Sequence, residues 1–387
     1  MTQSMTPAGR ALSLLLAFSL LAASTLLGCA GGCRRPPSAE QLATVHYAPQ
    51  QRDDWKVSTP EAQGLDPRLV RELFWEAAQL EDIDSLLLVK NGQLVAEGYF
   101  HEGSIDATAE LQSATKSYTS ALVGIALERG CLKSVDQRML EFFPEFADEI
   151  RDPRKNTITI RHLLQMRAGY PWEESNGELF EMLYSGLRPR HLVETPLNKD
   201  PDTAMEYSNL SSHILGVIVA RACDTDIAEF ATKYLHEPMG VTPGEWMMGW
   251  ENYRFGMAGL KMRARDLAKF GQLYLADGKF AGRQLLSPQW VRDSLASYSA
   301  RAWRIRVGPN WGDPHYGYQW WAITAGAHRY NLAWGHGGQQ IALVHELDLV
   351  VVVTSDPLIA QHGGGPWKRE KANLNLVADF IAKLPPE

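Results

Sequence analysis

The chain has 387 residues, 45% of them hydrophobic and 21% charged, with a formal net charge of −7 and four cysteines. That balance suits one large or two medium globular domains and excludes a disordered polymer or a multi-span membrane protein. No dense Lys/Arg run accompanies the negative charge, so nucleic-acid binding is not the main task, and four cysteines are too few for a disulfide framework.

The chain opens with Arg10 and a charge-free apolar run over residues 11–27, which reads as an export signal. It closes on Leu26-Leu27-Gly28-Cys29, which resembles the lipobox of bacterial lipoproteins. The resemblance implies a signal peptide over 1–28 and diacylation of Cys29. Ala30 after the cysteine, in place of Asp, points to a lipid-anchored protein of the cell envelope, at the outer membrane facing the periplasm. An uncleaved N-terminal anchor is the plainer alternative, because the run approaches spanning length. Residues 29–54 are polar and contain proline, so they read as a flexible tether.

Folded structure is expected from Trp55. Residues 66–79 read as a helix with Asp66 as N-cap and Pro67 at its first position. Two apolar runs, 85–90 and 93–100, meet at Asn91-Gly92, a strong hairpin signal. A helix then covers 113–128, stopped by Gly130. Between 132 and 300 the pattern is mainly helical, with helices predicted over 159–168, 211–222 and 263–276. A rich loop at 171–202 is a candidate substrate-shaping element. Strands return at 316–323, 332–340, 341–345 and 349–354, with a tight turn at Glu346-Leu347-Asp348, and a helix closes the chain over 367–384. Cys131 and Cys223 fall near helix ends, and their pairing is not readable. Strands at both ends imply one sheet built from N- and C-terminal segments, flanked by helices, with a mainly helical insertion. The predicted parts are 55–131 with 310–387, and 132–309.

Three short motifs carry the chemistry. Ser113 and Lys116 lie three apart at a helix start, on one face, where the helix dipole favours developing negative charge. A serine needs a neighbour to take its proton before it can attack a carbonyl. Tyr207-Ser208-Asn209 precedes a helix, which puts Tyr207 in a loop with its phenol free. Gly335-His336-Gly337-Gly338-Gln339 interrupts a strand, and glycines there permit close approach of a ligand or another backbone. No HExxH, CxxC pair, nucleotide-binding glycine loop or Gly-x-Ser-x-Gly elbow occurs, so no metal or cofactor is expected.

In the order SxxK, YxN, HGG, these motifs resemble the serine β-lactamase and penicillin-binding-protein superfamily. Within it they match the class C-like branch, with its β-lactamases, DD-peptidases, esterases and 6-aminohexanoate-dimer hydrolases. The resemblance runs from about Trp55 to the C-terminus and implies an α/β (α+β) fold of the β-lactamase/DD-peptidase type. By residue, it implies Ser113 as acylated nucleophile and Lys116 with Tyr207 as the proton-transfer pair, the true base of the two left open. The Ser113 and Gln339 N–H groups would form the oxyanion hole, and Asn209, His336, Gly337 and Gly338 would face substrate. Trp172 falls near a functional tyrosine of the dimer hydrolases and is a further substrate-binding candidate. Where β-lactamases carry Lys-Thr-Gly this chain has His336-Gly337-Gly338, which disfavours carboxylate-clamped β-lactams and favours other esters or amides. Trp311, Trp320, Trp321 and Trp334 are either core or a wall for an apolar acyl group. The expectation is an exported serine hydrolase acting on a small ester, amide or peptide-like substrate. The rivals are a β-lactamase or DD-peptidase, and a catalytically idle ligand-binding lipoprotein.

Overall fold

The computed structural model describes residues 36–249, 251–302, 306–358 and 365–386. Cys29 and the leader lie outside them. Seven strands make one antiparallel sheet: β1 (Ile83–Lys90), β2 (Gln93–Tyr99), β3 (His315–Tyr316), β4 (Trp321–Ala325), β5 (His328–Gly335), β6 (Gln339–Val344) and β7 (Leu349–Ser355). Their spatial order is β2-β1-β7-β6-β5-β4-β3, so the first hairpin pairs with the last strand. Asn91 (φ 52°) and Gly92 (φ 69°) both take the left-handed backbone that a two-residue hairpin of this twist needs.

Both faces of the sheet are covered, which is why β1 and β7 read as unbroken apolar runs. Leu87, Val89, Ile341, Leu343, Val350 and Val352 face a core shared with the central helices. Their alternates Leu86, Leu88, Ala342, Val344, Val351 and Val353 face a second core under the helices Pro67–Ala77 and Pro366–Ala382. Helix Ala264–Leu275 lies directly on the first face, and only glycine fits at its contact point. A Cβ at Gly271 would stand 2.6 Å from Val350 Cγ1. The helices Thr115–Glu128 and Asn209–Cys223 are buried along nearly their whole length, and a Cys131–Cys223 disulfide (Cα–Cα 5.2 Å) ties their C-terminal ends.

Four expectations need correction. The tether predicted over 29–54 does not extend that far: Ser38 caps a short helix, Ala39–Ala43, and Leu42 is buried. Beyond it, Tyr47 O accepts from Glu97 N (2.9 Å) and Gln50 N donates to Glu97 Oε1 (2.6 Å). The physical reason is that β2 is an edge strand, and this segment covers its open backbone groups. The helix at 159–168 is only Ile160–Leu164, because Met166 turns left-handed (φ 56°). The strand at 316–323 is split between β3 and β4 by a turn at Gln319 (φ 61°). Likewise 332–340 is not one interrupted strand but two sides of a hairpin. Gly337 (φ 83°) and Gly338 (φ 94°) reverse the chain, and Gly338 N donates to Gly335 O at 3.0 Å. Residues Ser38–Glu387 form one compact unit.

Candidate active site

Ser113 lies in a 3-10 turn, Gln112–Ala114, that feeds helix Thr115–Glu128. Gln112 before it is left-handed (φ 49°), a conformation that non-glycine residues rarely adopt. That backbone is held from two sides. The Gln112 amide donates to Glu110, whose other oxygen accepts from Gly259 N at 3.0 Å. Across the turn, a Cβ at Gly335 would sit 2.1 Å from Leu111 O, so glycine there lets the end of β5 press against the segment before the serine. Ser113 itself is half-buried, and Lys116 is buried.

The Lys116 ammonium donates to Ser113 Oγ (2.8 Å), Asn209 Oδ1 (2.8 Å) and Met257 O (3.0 Å). All three acceptors are uncharged. Burial therefore dominates and lowers the pKa to about 8, against the opposing pull of Glu174 and then Glu173. A free amine beside a serine hydroxyl is thus reached closer to neutral pH than on an exposed lysine.

Tyr207 stands immediately before Ser208, the N-cap of helix Asn209–Cys223. It lies outside any helix or strand, as expected, and only 8% of the residue is accessible. Its ring stacks on Trp321 (centroids 5.7 Å apart), meets Tyr316 edge-on (6.3 Å) and lies 5.0 Å from Lys116 Nζ. The phenol hydrogen-bonds with Ser113, while burial pushes its pKa well above the ordinary value. Burying the ring stabilises the turn and leaves the hydroxyl aimed at the serine.

Asn209 links Lys116 to two carboxylates that no motif announced. Its Nδ2 donates to Glu174 Oε1 at 2.9 Å, and its backbone N donates to Glu173 Oε2 at 2.8 Å. Trp172 heads the short helix Glu173–Asn176 and packs, half-buried, on the core that contains Tyr207. No sequence signal for these glutamates existed beyond their place in the 171–202 loop, which also holds short helices at Glu178–Tyr184 and His191–Glu194.

The His336-Gly337-Gly338 turn is the third corner. His336 is half-exposed, and its Nδ1 lies 2.9 Å from Glu370 Oε2. Glu370, on the last helix and itself buried, also accepts from Trp334 Nε1 (2.8 Å) and Gly337 N (3.3 Å). Hydrogen bonding to this carboxylate raises the His336 pKa above the ordinary imidazole value, against a smaller loss from burial. Neither glycine can be replaced without moving the backbone: a Cβ would meet Asp356 O at 2.8 Å from Gly337 and Asn373 Cβ at 2.6 Å from Gly338. Gln339 opens β6 opposite Gly335, and its side chain is spent on Ser355, donating to Ser355 O (2.5 Å) and accepting from Ser355 N (3.1 Å). Only its main chain is therefore left for another role at the turn.

Trp311, Trp320, Trp321 and Trp334 are all buried, Trp320 in the first core and the other three in the second. Trp320 is core, among Phe270 and Tyr274. Trp321, Trp334 and Trp367 continue the aromatic row that starts at Tyr207, at 5.6 Å and 6.1 Å between successive indoles, and Trp311 meets Trp334 edge-on. Among the described residues, no group of three or more His, Cys, Asp or Glu gathers as a metal site would require.

Comparison with known proteins shows the family and the fold. The profile of the family described as Beta-lactamase matches residues 83–363. The chain is 24% identical over 289 residues to the 6-aminohexanoate-dimer hydrolase of Paenarthrobacter ureafaciens, covering 70% of this chain and 72% of that protein. Among solved structures it resembles the octameric penicillin-binding protein homologue from Pyrococcus abyssi (TM-score 0.60, 19% identity, 81% of this chain and 76% of that one). It also resembles EstCE1, a hydrolase with promiscuous acyltransferase activity (TM-score 0.61, 16% identity, 81% and 98%). At such identities the structural likeness speaks for the fold alone.

Proposed function

This chain belongs to the β-lactamase family of serine hydrolases, and on that premise we propose that it cleaves a small ester or amide through an acyl-enzyme on Ser113. The observation that carries the reading is the Lys116 amine, 2.8 Å from Ser113 Oγ, with a pKa lowered to about 8 and no carboxylate in contact. As a free amine, Lys116 accepts the Ser113 proton while Oγ bonds to the substrate carbonyl carbon. Tyr207, whose raised pKa keeps it a neutral phenol, is a proton relay and not the initial base: it gives its proton to the departing alkoxide or amine as it takes one from the Lys116 ammonium. Water then cleaves the acyl-serine by the reverse proton path. The Ser113 and Gln339 N–H groups are the oxyanion donors in this scheme, each worth about 3 kcal/mol of transition-state stabilisation.

The substrate side is read from the turn. His336 stands where related hydrolases carry a lysine, and the Glu370 carboxylate favours its protonated form. Positive charge there is conditional on pH, and no hydroxyl accompanies it at Gly337. The absence of a fixed charge and a hydroxyl supports uncharged esters or amides as preferred substrates over carboxylated β-lactams. The dimer-hydrolase relative supports the amide option.

Export and lipid anchoring at Cys29 belong to the same proposal. The Cys131–Cys223 bridge supports an oxidising compartment. Changing Cys29 to Ser should release the protein from the membrane fraction, and an unlipidated native protein in a bacterial host would end that part of the reading.

A fluorophosphonate tests the nucleophile: it should add once, at Ser113, and no adduct should form on Ser113→Ala. Turnover of a short-chain p-nitrophenyl ester distinguishes an enzyme from an idle binding protein. Efficient cleavage of a chromogenic cephalosporin would overturn the substrate assignment and favour a β-lactamase.

A further inference from the structure

We propose that Glu173 and Glu174 form a two-carboxylate bracket that positions the Tyr207-Ser208-Asn209 turn and, through the Asn209 amide, the Lys116 amine. The inference rests on Lys116 being the base for Ser113, and it deepens that reading. Both glutamates are positioning residues, because neither touches the reacting atoms.

Glu173 is fully buried, which is unfavourable for a carboxylate unless its oxygens are hydrogen-bonded. They are. Oε1 accepts from the Ser208 hydroxyl (2.7 Å) and Leu210 N (3.1 Å), and Oε2 from Asn209 N (2.8 Å). Ser208 Oγ in turn accepts from Ser211 N at 3.1 Å. The backbone that fixes the spacing of Tyr207 and Asn209 is thus gripped from a separate segment of the chain. An open helix start would leave the same N–H groups to water and the turn to its own stiffness.

Glu174 acts on the side chain. An asparagine amide has a donor end and an acceptor end that differ only in polarity. With Nδ2 committed to Glu174 (2.9 Å), Oδ1 is the end presented to Lys116 (2.8 Å). Without the carboxylate the amide can turn and set its NH2 against the ammonium. Glu174 also places a negative charge near Lys116 and so moderates the lowering of its pKa by burial. The titratable groups facing Lys116 are the Tyr207 phenol from the turn and Glu173 and Glu174 from the short helix. The Met257 segment offers only a carbonyl. His336 feels Glu174 as well, so its contribution has to be removed from the test.

The experiment follows hydrolysis of the uncharged p-nitrophenyl acetate by the full chain from pH 6 to 10, in a His336→Gln background. Glu174→Gln, Glu174→Ala and Glu173→Gln are compared with their parent, and thermal melts check folding. Both Glu174 variants should move the acid limb of kcat/KM to lower pH, by about half a unit, because the ammonium loses a negative neighbour. Glu174→Ala should also lose about tenfold or more in plateau kcat, and Glu174→Gln less, since an amide oxygen still accepts from Asn209 Nδ2. Glu173→Gln cannot serve all three donors and should lower the plateau; if it fails to fold, the Glu174 pair decides alone. Limb and plateau unchanged in both Glu174 variants would overturn the inference and leave acylation at Ser113 standing. A parent that shows no acid limb, together with no fluorophosphonate adduct at Ser113, would bring down the underlying reading and this inference together.

Discussion

Two buried lysines in this molecule look alike and do different things. Lys116 donates to uncharged acceptors, lies 5.0 Å from a tyrosine ring and has its pKa lowered to about 8 by burial. Lys155, in the Pro153–Thr157 turn, donates to Val193 O (2.6 Å) and Thr195 O (2.7 Å) and lies 5.8 Å from the Tyr170 ring. Burial lowers its pKa to about 8 as well. A perturbed pKa therefore does not locate a site by itself. The difference lies in the acceptors. Lys116 holds a hydroxyl that reaches the surface at a helix start. Lys155 holds two carbonyls that pin the far loop of the helical region, and the neighbouring Tyr170 hydroxyl is taken by Leu192 O at 2.9 Å.

The largest effect should come from breaking this comparison outright. Lys116→Met and Ser113→Ala should each cut ester hydrolysis by about three orders of magnitude or more, with the fold retained. Lys155→Met should leave kcat of the folded protein within about twofold, but cost roughly 1–3 kcal/mol of stability through two orphaned carbonyls, read as a lower melting temperature. Equal losses of rate in Lys155→Met and Lys116→Met would erase the distinction.

Next in size is the tyrosine beside each lysine. Tyr207→Phe should slow acylation by about 10²–10⁴, and the Lys116→Met/Tyr207→Phe pair should fall little further, since groups acting as a unit are not additive. Tyr170→Phe should change stability only. Rapid-quench measurement of acyl-enzyme formation on the folded variants is the check.

A smaller effect concerns selectivity at the His336 corner. Glu370 raises the His336 pKa, so the imidazolium persists above its usual range near 6.5 and is lost as pH rises through the raised value. The preference for an anionic over an uncharged ester, as a ratio of kcat/KM, should therefore decline with rising pH. In Glu370→Gln that decline should move to lower pH, and in His336→Lys the preference should persist to higher pH. The charged contact is worth roughly 1.5–3 kcal/mol, about ten- to over a hundredfold. A ratio flat in pH for the wild type would remove His336 from substrate selection. Restoring a family-like threonine at Gly337 is not an equivalent test, since its φ of 83° and the Asp356 carbonyl exclude a side chain.

The smallest and sharpest test separates the two titrations. With an uncharged ester, kcat/KM should rise with pH up to about 8 as Lys116 loses its proton. Because Lys155 titrates in the same range but away from the serine, Lys155→Met should leave that limb where it is.

Much of this was legible in the chain, where the determinant is local. Asn91-Gly92 specifies its hairpin because both residues tolerate a left-handed backbone, and Ser113 and Lys116 meet because residues three apart share a helix face. The strand content of both ends and the order of the three motifs sufficed for the fold. Where the reading failed, the competing force was tertiary. The tether from Ser38 onward is ordered because an edge strand needs cover. The pairing of Cys131 with Cys223 waits on where two helices end. Glu173, Glu174 and Glu370 carry no sequence signal, since a carboxylate's partner is chosen by whichever backbone the fold brings within 3 Å or so of it. Local spacing supplied the nucleophile and its lysine; the groups that orient them come from segments far along the chain, and only long-range packing could select those.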